Sequence, residues 1–239
     1  MELKDPQDVI EYEYRFRFGS GREHTFVIRL SLPDLKQIKS SSKSKPEWTR
    51  LEYEQCPNCT LDEKREPYCP VAECLVEIID TFKNTVSYEE TEVDVKTRER
   101  EIKGKLPVQK ALSSLLGIYM PTSGCPILAK LSPMARFHLP FATVEETVFR
   151  SVSTYLLGQY FVMKEGGKPD LELKELKRIY EEIEKVNRSI CQRLRNISEK
   201  DAHLNAVVIL DNFAINLNFL FDKSLEQLRP IFEVYLKKD

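Results

Sequence analysis

Ile10-Glu-Tyr-Glu-Tyr-Arg-Phe-Arg-Phe18 alternates apolar and charged side chains without a break, and a period of two marks a strand with one face in the core. Gly19-Ser20-Gly21 turns the chain, and Phe26, Ile28 and Leu30 resume the alternation. The two runs predict an antiparallel hairpin, apolar on one face and charged on the other. With the helical periodicities that follow, the fold class is α+β.

Outward from the hairpin, Ser40-Ser-Ser-Lys-Ser-Lys45 has nothing to bury and is expected to be a mobile surface loop. Trp48 to Tyr53 is read as a third strand. After Pro70, the positions Val71, Leu75, Ile78, Ile79 and Phe82 fall at helical spacing. Tyr88, Val93 and Val95 suggest one or two further strands. Pro107 stands where a first-turn proline belongs, ahead of the stripe Val108, Leu112, Leu115, Leu116 and Tyr119. Thr143 and Glu146 have capping-box spacing for a helix reaching about Met163, which Gly166-Gly167-Lys168-Pro169 ends. The remainder reads as helical, with a cap-like pair at Ser198 and Asp201 and with Pro230 late in the last helix. This divides the chain into an antiparallel α+β part carrying a cysteine cluster, 1–141, and a helical bundle, 142–239, able to pack on the first as one unit.

Leu173, Leu176, Tyr180, Ile183, Asn187, Ile190, Leu194 and Ile197 are spaced alternately three and four, a heptad seam that needs a partner helix. An intramolecular hairpin with the apolar helix 202–221 is the leading expectation, because that neighbour follows immediately. A homodimer through the 173–197 seam is the other, with Asn187 fixing register.

A length of 239 residues and an apolar content of 41% suffice for a core without disulfides. The 36 basic and 38 acidic side chains nearly cancel to a net charge of −2, and neither half is basic. A nucleic-acid partner is therefore not expected. The opening residues lack an uninterrupted apolar run, so no signal peptide is expected. Ala206–Phe221 is broken by Asp211, Asn212, Asn216 and Asn218, so no membrane span is expected either. A cytoplasmic, reducing location follows, in which clustered cysteines favour metal or thiol chemistry over disulfides.

Cys56, Cys59, Cys69 and Cys74 lie within 19 residues, where an even spread of six cysteines would put about 0.5. Cys56-Pro57-Asn58-Cys59 is a C-x-x-C turn in which two thiolates can face one ion. Cys69 precedes a helix, whose amino-terminal dipole favours a thiolate. Cys125, in Ser123-Gly124-Cys125-Pro126, is the preferred fourth ligand because the glycine lets the backbone approach an ion. His138 competes for that place, since zinc accepts three thiolates and an imidazole. Cys74 is the weakest candidate, beside the apolar face of a helix where cysteine is a common core residue.

Zinc leads as the cofactor. Proline after Cys56, Cys69 and Cys125 keeps an iron-sulfur cluster as the alternative, although C-x2-C-x9-C matches no ferredoxin spacing. Metal-free thiols are the third possibility. Arg136 and His138 alternate with Phe137, so that both polar groups project toward an anion while Phe137 anchors the segment, unless Arg136 pairs with Glu145 or Glu146.

The stretches Pro46-Glu-Trp48-Thr-Arg-Leu51, Cys56-Pro-Asn-Cys59, Cys69-Pro-Val-Ala72, Ser123-Gly-Cys-Pro126, Pro133-Met-Ala-Arg-Phe-His-Leu-Pro140 and Tyr155-Leu-Leu-Gly-Gln-Tyr160 together resemble an uncharacterised bacterial protein family, a domain of unknown function. They run from 46 to about 160 and leave the carboxy-terminal helices outside. The resemblance implies a bacterial cytoplasmic protein that shares these cysteines with its family, and it implies no activity.

No G-x-S-x-G elbow, Walker loop or G-x-G-x-x-G fingerprint is present. His24 and His203 read as structural. The expectation is a binding or regulatory protein with a structural zinc. A thiol redox enzyme or sensor using Cys56 and Cys59 is the alternative.

Overall fold

A computed structural model describes residues 8–38, 45–197, 205, 207, 208, 211 and 225–237. Four strands form one antiparallel sheet: β1 (Val9–Phe18), β2 (Glu23–Ser31), β3 (Glu90–Lys96) and β4 (Glu101–Pro107), in the order β2-β1-β3-β4. The hairpin register pairs Tyr14 with Phe26 and Tyr12 with Ile28, which puts every apolar member of the alternation on one face. Tyr12, Tyr14, Phe16, Phe18, Phe26, Ile28, Leu30, Val93 and Val95 are buried there. The opposite face carries cross-strand charge pairs such as Arg17 with Asp94 at 2.8 Å and Arg29 with Glu11 at 2.7 Å, which add little to stability in water.

Two helices cover the apolar face. α1 (Pro70–Phe82) buries Val71, Ala72, Leu75, Ile78, Ile79 and Phe82, and the Phe82 ring meets Phe16 at 5.2 Å and Phe26 at 5.8 Å. α2 (Val108–Thr122) follows β4 directly, with Pro107 at its N-cap rather than in its first turn. A short helix, α3 (Ser132–Arg136), leads to α4 (Val144–Lys164). The α4 capping box is complete: the Glu146 N–H donates to Thr143 Oγ1 at 3.2 Å, and the Thr143 N–H donates to Glu146 Oε2 at 2.7 Å. Gly166 then takes a positive φ of 84° and ends the helix, as its sequence predicts.

α5 (Lys174–Arg195) carries the heptad seam, and Leu176, Tyr180, Ile183, Asn187, Ile190 and Leu194 are all buried within the chain. Its contacts lie on both halves. Tyr180 shares a hydrogen bond of 2.9 Å with Ser151 of α4, and Arg193 reaches back to residues 48–51. A final short helix, α6 (Glu233–Leu236), follows a 3-10 turn at Arg229–Phe232 that contains Pro230. Ser40 to Ser44, the Ser198/Asp201 pair, His203 and most of the helix expected at 202–221 lie outside the described residues. Among the described residues, no helix is long and apolar enough to cross a membrane.

The third strand expected at Trp48–Tyr53 is instead a 3-10 turn, Glu47–Thr49, followed by a single bridge between Arg50 and Tyr68. The cause is visible in the backbone hydrogen bonds. Thr49 donates both its N–H and its hydroxyl to the Pro46 carbonyl, at 2.9 and 2.6 Å, closing a turn where a ladder would need an extended chain. The carbonyls of Trp48, Arg50 and Leu51 accept from the buried Arg193 guanidinium at 2.8, 2.7 and 2.9 Å. Groups that would pair with a neighbouring strand are satisfied by one side chain of α5.

Candidate functional site

Three segments carry the expected cysteines to one neighbourhood. Cys56 and Cys59 close a tight turn through the Cys59 N–H on the Cys56 carbonyl at 3.0 Å. That turn leans on α5, where Asn58 donates to the Glu182 carbonyl at 3.0 Å and to its carboxylate at 2.7 Å. Cys69 is the N-cap of α1, held by its N–H on the Thr49 carbonyl at 2.8 Å. Cys125 follows Gly124, whose φ of 106° few side-chain-bearing residues adopt. A Cβ on Gly124 would stand 3.8 Å from Cβ of Pro70, so this loop packs against the start of α1 beside Cys69.

The electrostatics agree. Burial pushes the Cys56 thiol up to about 11; a Ser189 hydrogen bond opposes the rise, and the neighbouring Cys69, Cys125 and Cys59 thiols add to it. Cys125 is also pushed up, first by burial and then by Cys69 and Cys59, against backbone donors at Leu128 and Ile127. Cys56 thus feels the other three thiols of this set, and Cys125 feels Cys69 and Cys59. Among the described residues, no three His, Cys, Asp or Glu side chains stand, as placed, where they would hold an ion.

The other candidates lie elsewhere. Cys74 turns toward α2, with its Sγ 3.0 Å from the Val71 carbonyl and 3.6 Å from that of Tyr119. Cys191 is buried on α5, where burial raises its thiol to about 11. His138 belongs to a different network: its Nε2 meets the Tyr14 hydroxyl at 2.6 Å, and Ser114 Oγ lies 2.9 Å from the same hydroxyl. Burial, and then Arg150, lower the His138 pKa to about 3, so the ring is neutral at ordinary pH.

Arg136 and His138 do not project together, and Phe137 does not anchor the segment. Phe137 is 73% exposed, with the Arg136 guanidinium 5.3 Å above its ring, while His138 turns inward. Alternation assumes an extended chain, but Ser132–Arg136 is helical, which changes the facing of successive side chains. The inward cation is Arg150 of α4, which sequence reasoning missed. Its Nη2 donates to the Met134 carbonyl at 2.7 Å and the Phe137 carbonyl at 3.0 Å, and burial lowers its pKa.

His138 and Arg150 stand on the wall of a cavity of about 500 Å3 framed by α2, α4, α5 and the segment between α3 and α4. Leu116, Met120, Leu131, Met134, Phe141 and Ile183 give it an apolar lining, and Ser114, Tyr180 and Asn187 add polar atoms. Its size and character are those of small-molecule sites. Phe141 adopts a positive φ of 59°, which a bulky residue rarely accepts. Its N–H on Ser114 Oγ at 3.1 Å holds it there, and its ring comes so close to β4 that a Cβ at Gly104 would meet it at 3.0 Å. No sequence signal reaches this cavity, because its lining runs from Leu106 to Asn187.

A family model described as a domain of unknown function, DUF6901, matches residues 12–233. The match extends the resemblance carried by 46–160 in both directions, taking in most of the hairpin and the carboxy-terminal helices. No curated protein and no solved structure matches the chain.

Proposed function

The chain belongs to the DUF6901 family, a domain of unknown function, and from that premise we propose that it is a small-molecule-binding protein of the reducing cytoplasm, stapled by one structural zinc on Cys56, Cys59, Cys69 and Cys125. The observation that carries the zinc is the meeting of four thiols from three separate segments, with Cys56 feeling the other three. The Gly124 loop packs against the start of α1, which supports Cys125 and Cys69 serving one ion. An ion would replace mutual repulsion among thiolates with shared charge neutralisation.

The same feature speaks against redox work by Cys56 and Cys59. A reactive pair needs a lowered thiol pKa, and burial drives Cys56 the other way, to about 11. The binding role rests on the cavity of about 500 Å3 beside α4. Elemental analysis with a thiol count tests the zinc: one zinc per chain is expected, with thiols at 56, 59, 69 and 125 protected until a chelator removes the metal. Metal-free protein, or iron with labile sulfide, would overturn it.

A further inference from the structure

We infer that the cavity between α2, α4 and α5 binds an apolar molecule bearing a single carboxylate, with Arg150 as the residue that takes the carboxylate. This rests on the binding role proposed above and is independent of the zinc.

Charge is the first reason. Among the described residues lining the cavity, Arg150 and the exposed Lys110 are cations and none is a carboxylate. The Arg150 Nη2 donates to two backbone carbonyls, and the carboxylate whose charge it feels is Glu146, one turn earlier on α4 and outside the cavity lining. A half-buried guanidinium in a wall that carries no carboxylate attracts an anion, in the bidentate geometry guanidinium favours.

The neighbouring polar groups lead to the same ligand. Asn187 is 2% exposed and lines the cavity, a polar side chain set in the apolar seam of α5. A carboxylate oxygen in the cavity can accept from its N–H2. Ser113, also buried, lines the cavity as a second donor. Most of the remaining wall is apolar, led by leucine, methionine, phenylalanine and isoleucine and interrupted by Ser114, Thr143, Thr147 and Tyr180, which suits a hydrocarbon body better than a heavily charged ligand. One guanidinium in an apolar wall suits a monoanion rather than a phosphate dianion. The strained Phe141, held by Ser114 and seated over Gly104, is what a preorganised ligand wall carries.

The test is calorimetric titration of the full chain, as purified, with dodecanoate and with dodecanol, repeated on Arg150→Gln and Gly117→Leu. Gly117 lines the cavity and a Cβ there meets only His138, at 3.9 Å, so a leucine side chain enters the open space. Dodecanoate is expected to bind wild type about tenfold or more tighter than dodecanol. Arg150→Gln should erase that preference, and Gly117→Leu should block both ligands. Equal affinity for the two ligands, with Arg150→Gln silent, would overturn the carboxylate assignment while leaving the binding role standing. Absence of binding by folded wild-type protein, or binding untouched by Gly117→Leu, would overturn both. If Arg150→Gln fails to fold, the dodecanoate-to-dodecanol ratio on wild type and its loss in Gly117→Leu decide the matter.

Discussion

The segment from Glu47 to Cys69 and the cavity framed by α2, α4 and α5 are built in opposite ways. The first has almost no regular structure: one 3-10 turn, one isolated bridge, and carbonyls that hang on Arg193. The second is framed by three helices that leave space between them. Irregular chain cannot hold itself by periodic hydrogen bonds, so it relies on side chains such as Arg193 and, on the function proposed above, on a metal shared by the cysteines. Helices already satisfy their own backbones, so they can leave a hole without loss of order and line it with side chains chosen for a ligand. On the function proposed above, the first region contributes a cross-link and the second a binding site.

The largest break in that contrast is Cys56→Ser, or removal of the metal. A structural zinc contributes roughly 10 to 16 kcal/mol of apparent binding energy in small modules, against a whole-domain stability of roughly 5 to 15 kcal/mol. The cooperative urea transition of the amino-terminal half should disappear, read by circular dichroism and near-ultraviolet signals. Next comes Arg193→Met, which leaves the Trp48, Arg50 and Leu51 carbonyls without their donor. A loss of about 3 to 5 kcal/mol is expected from urea unfolding, with zinc content preserved.

On the cavity side the sharper probe is pH. His138 has a folded pKa of about 3, below the value of about 6.5 expected when unfolded. The unfolded chain therefore binds more protons between those values, and stability falls as pH drops through that window. The slope approaches about 1.4 kcal/mol per pH unit and should vanish in His138→Gln, which keeps a partner for Tyr14 but does not titrate. A slope unchanged by the substitution would assign it to other groups. The smallest effect expected is at the cavity's rim: Thr143→Ala breaks the capping box of α4 and should cost about 1 kcal/mol by thermal melting.

What the sequence made legible was whatever depends on neighbours in the chain. The Ile10–Phe18 alternation, the stripes of α1 and α2, the Thr143/Glu146 box and the α5 seam all reappear because period and spacing determine which side chains share a face. The C-x-x-C turn belongs with them, since it is a local shape. Trp48–Tyr53 misled because its fate was decided by Arg193, more than 140 residues away. Arg136 misled because a single helical turn, Ser132–Arg136, reversed the facing that alternation implies, and the inward cation came from α4 instead. The cavity as a whole was not legible, because Ser114, Arg150 and Asn187 come to line one space only after α2, α4 and α5 pack. Asn187 was visible as a polar break in an apolar seam, and that break marks the cavity wall.

The central claim, that sulfurs from three segments share one ion, is tested most directly by cobalt(II) substitution across a cysteine-to-serine series. Tetrahedral thiolate coordination gives strong thiolate-to-cobalt absorption. That absorption should weaken or vanish in the serine variants at 56, 59, 69 and 125, and persist in those at 74 and 191. A cobalt spectrum indifferent to Cys125→Ser, or no thiolate band in the wild-type chain, would contradict it.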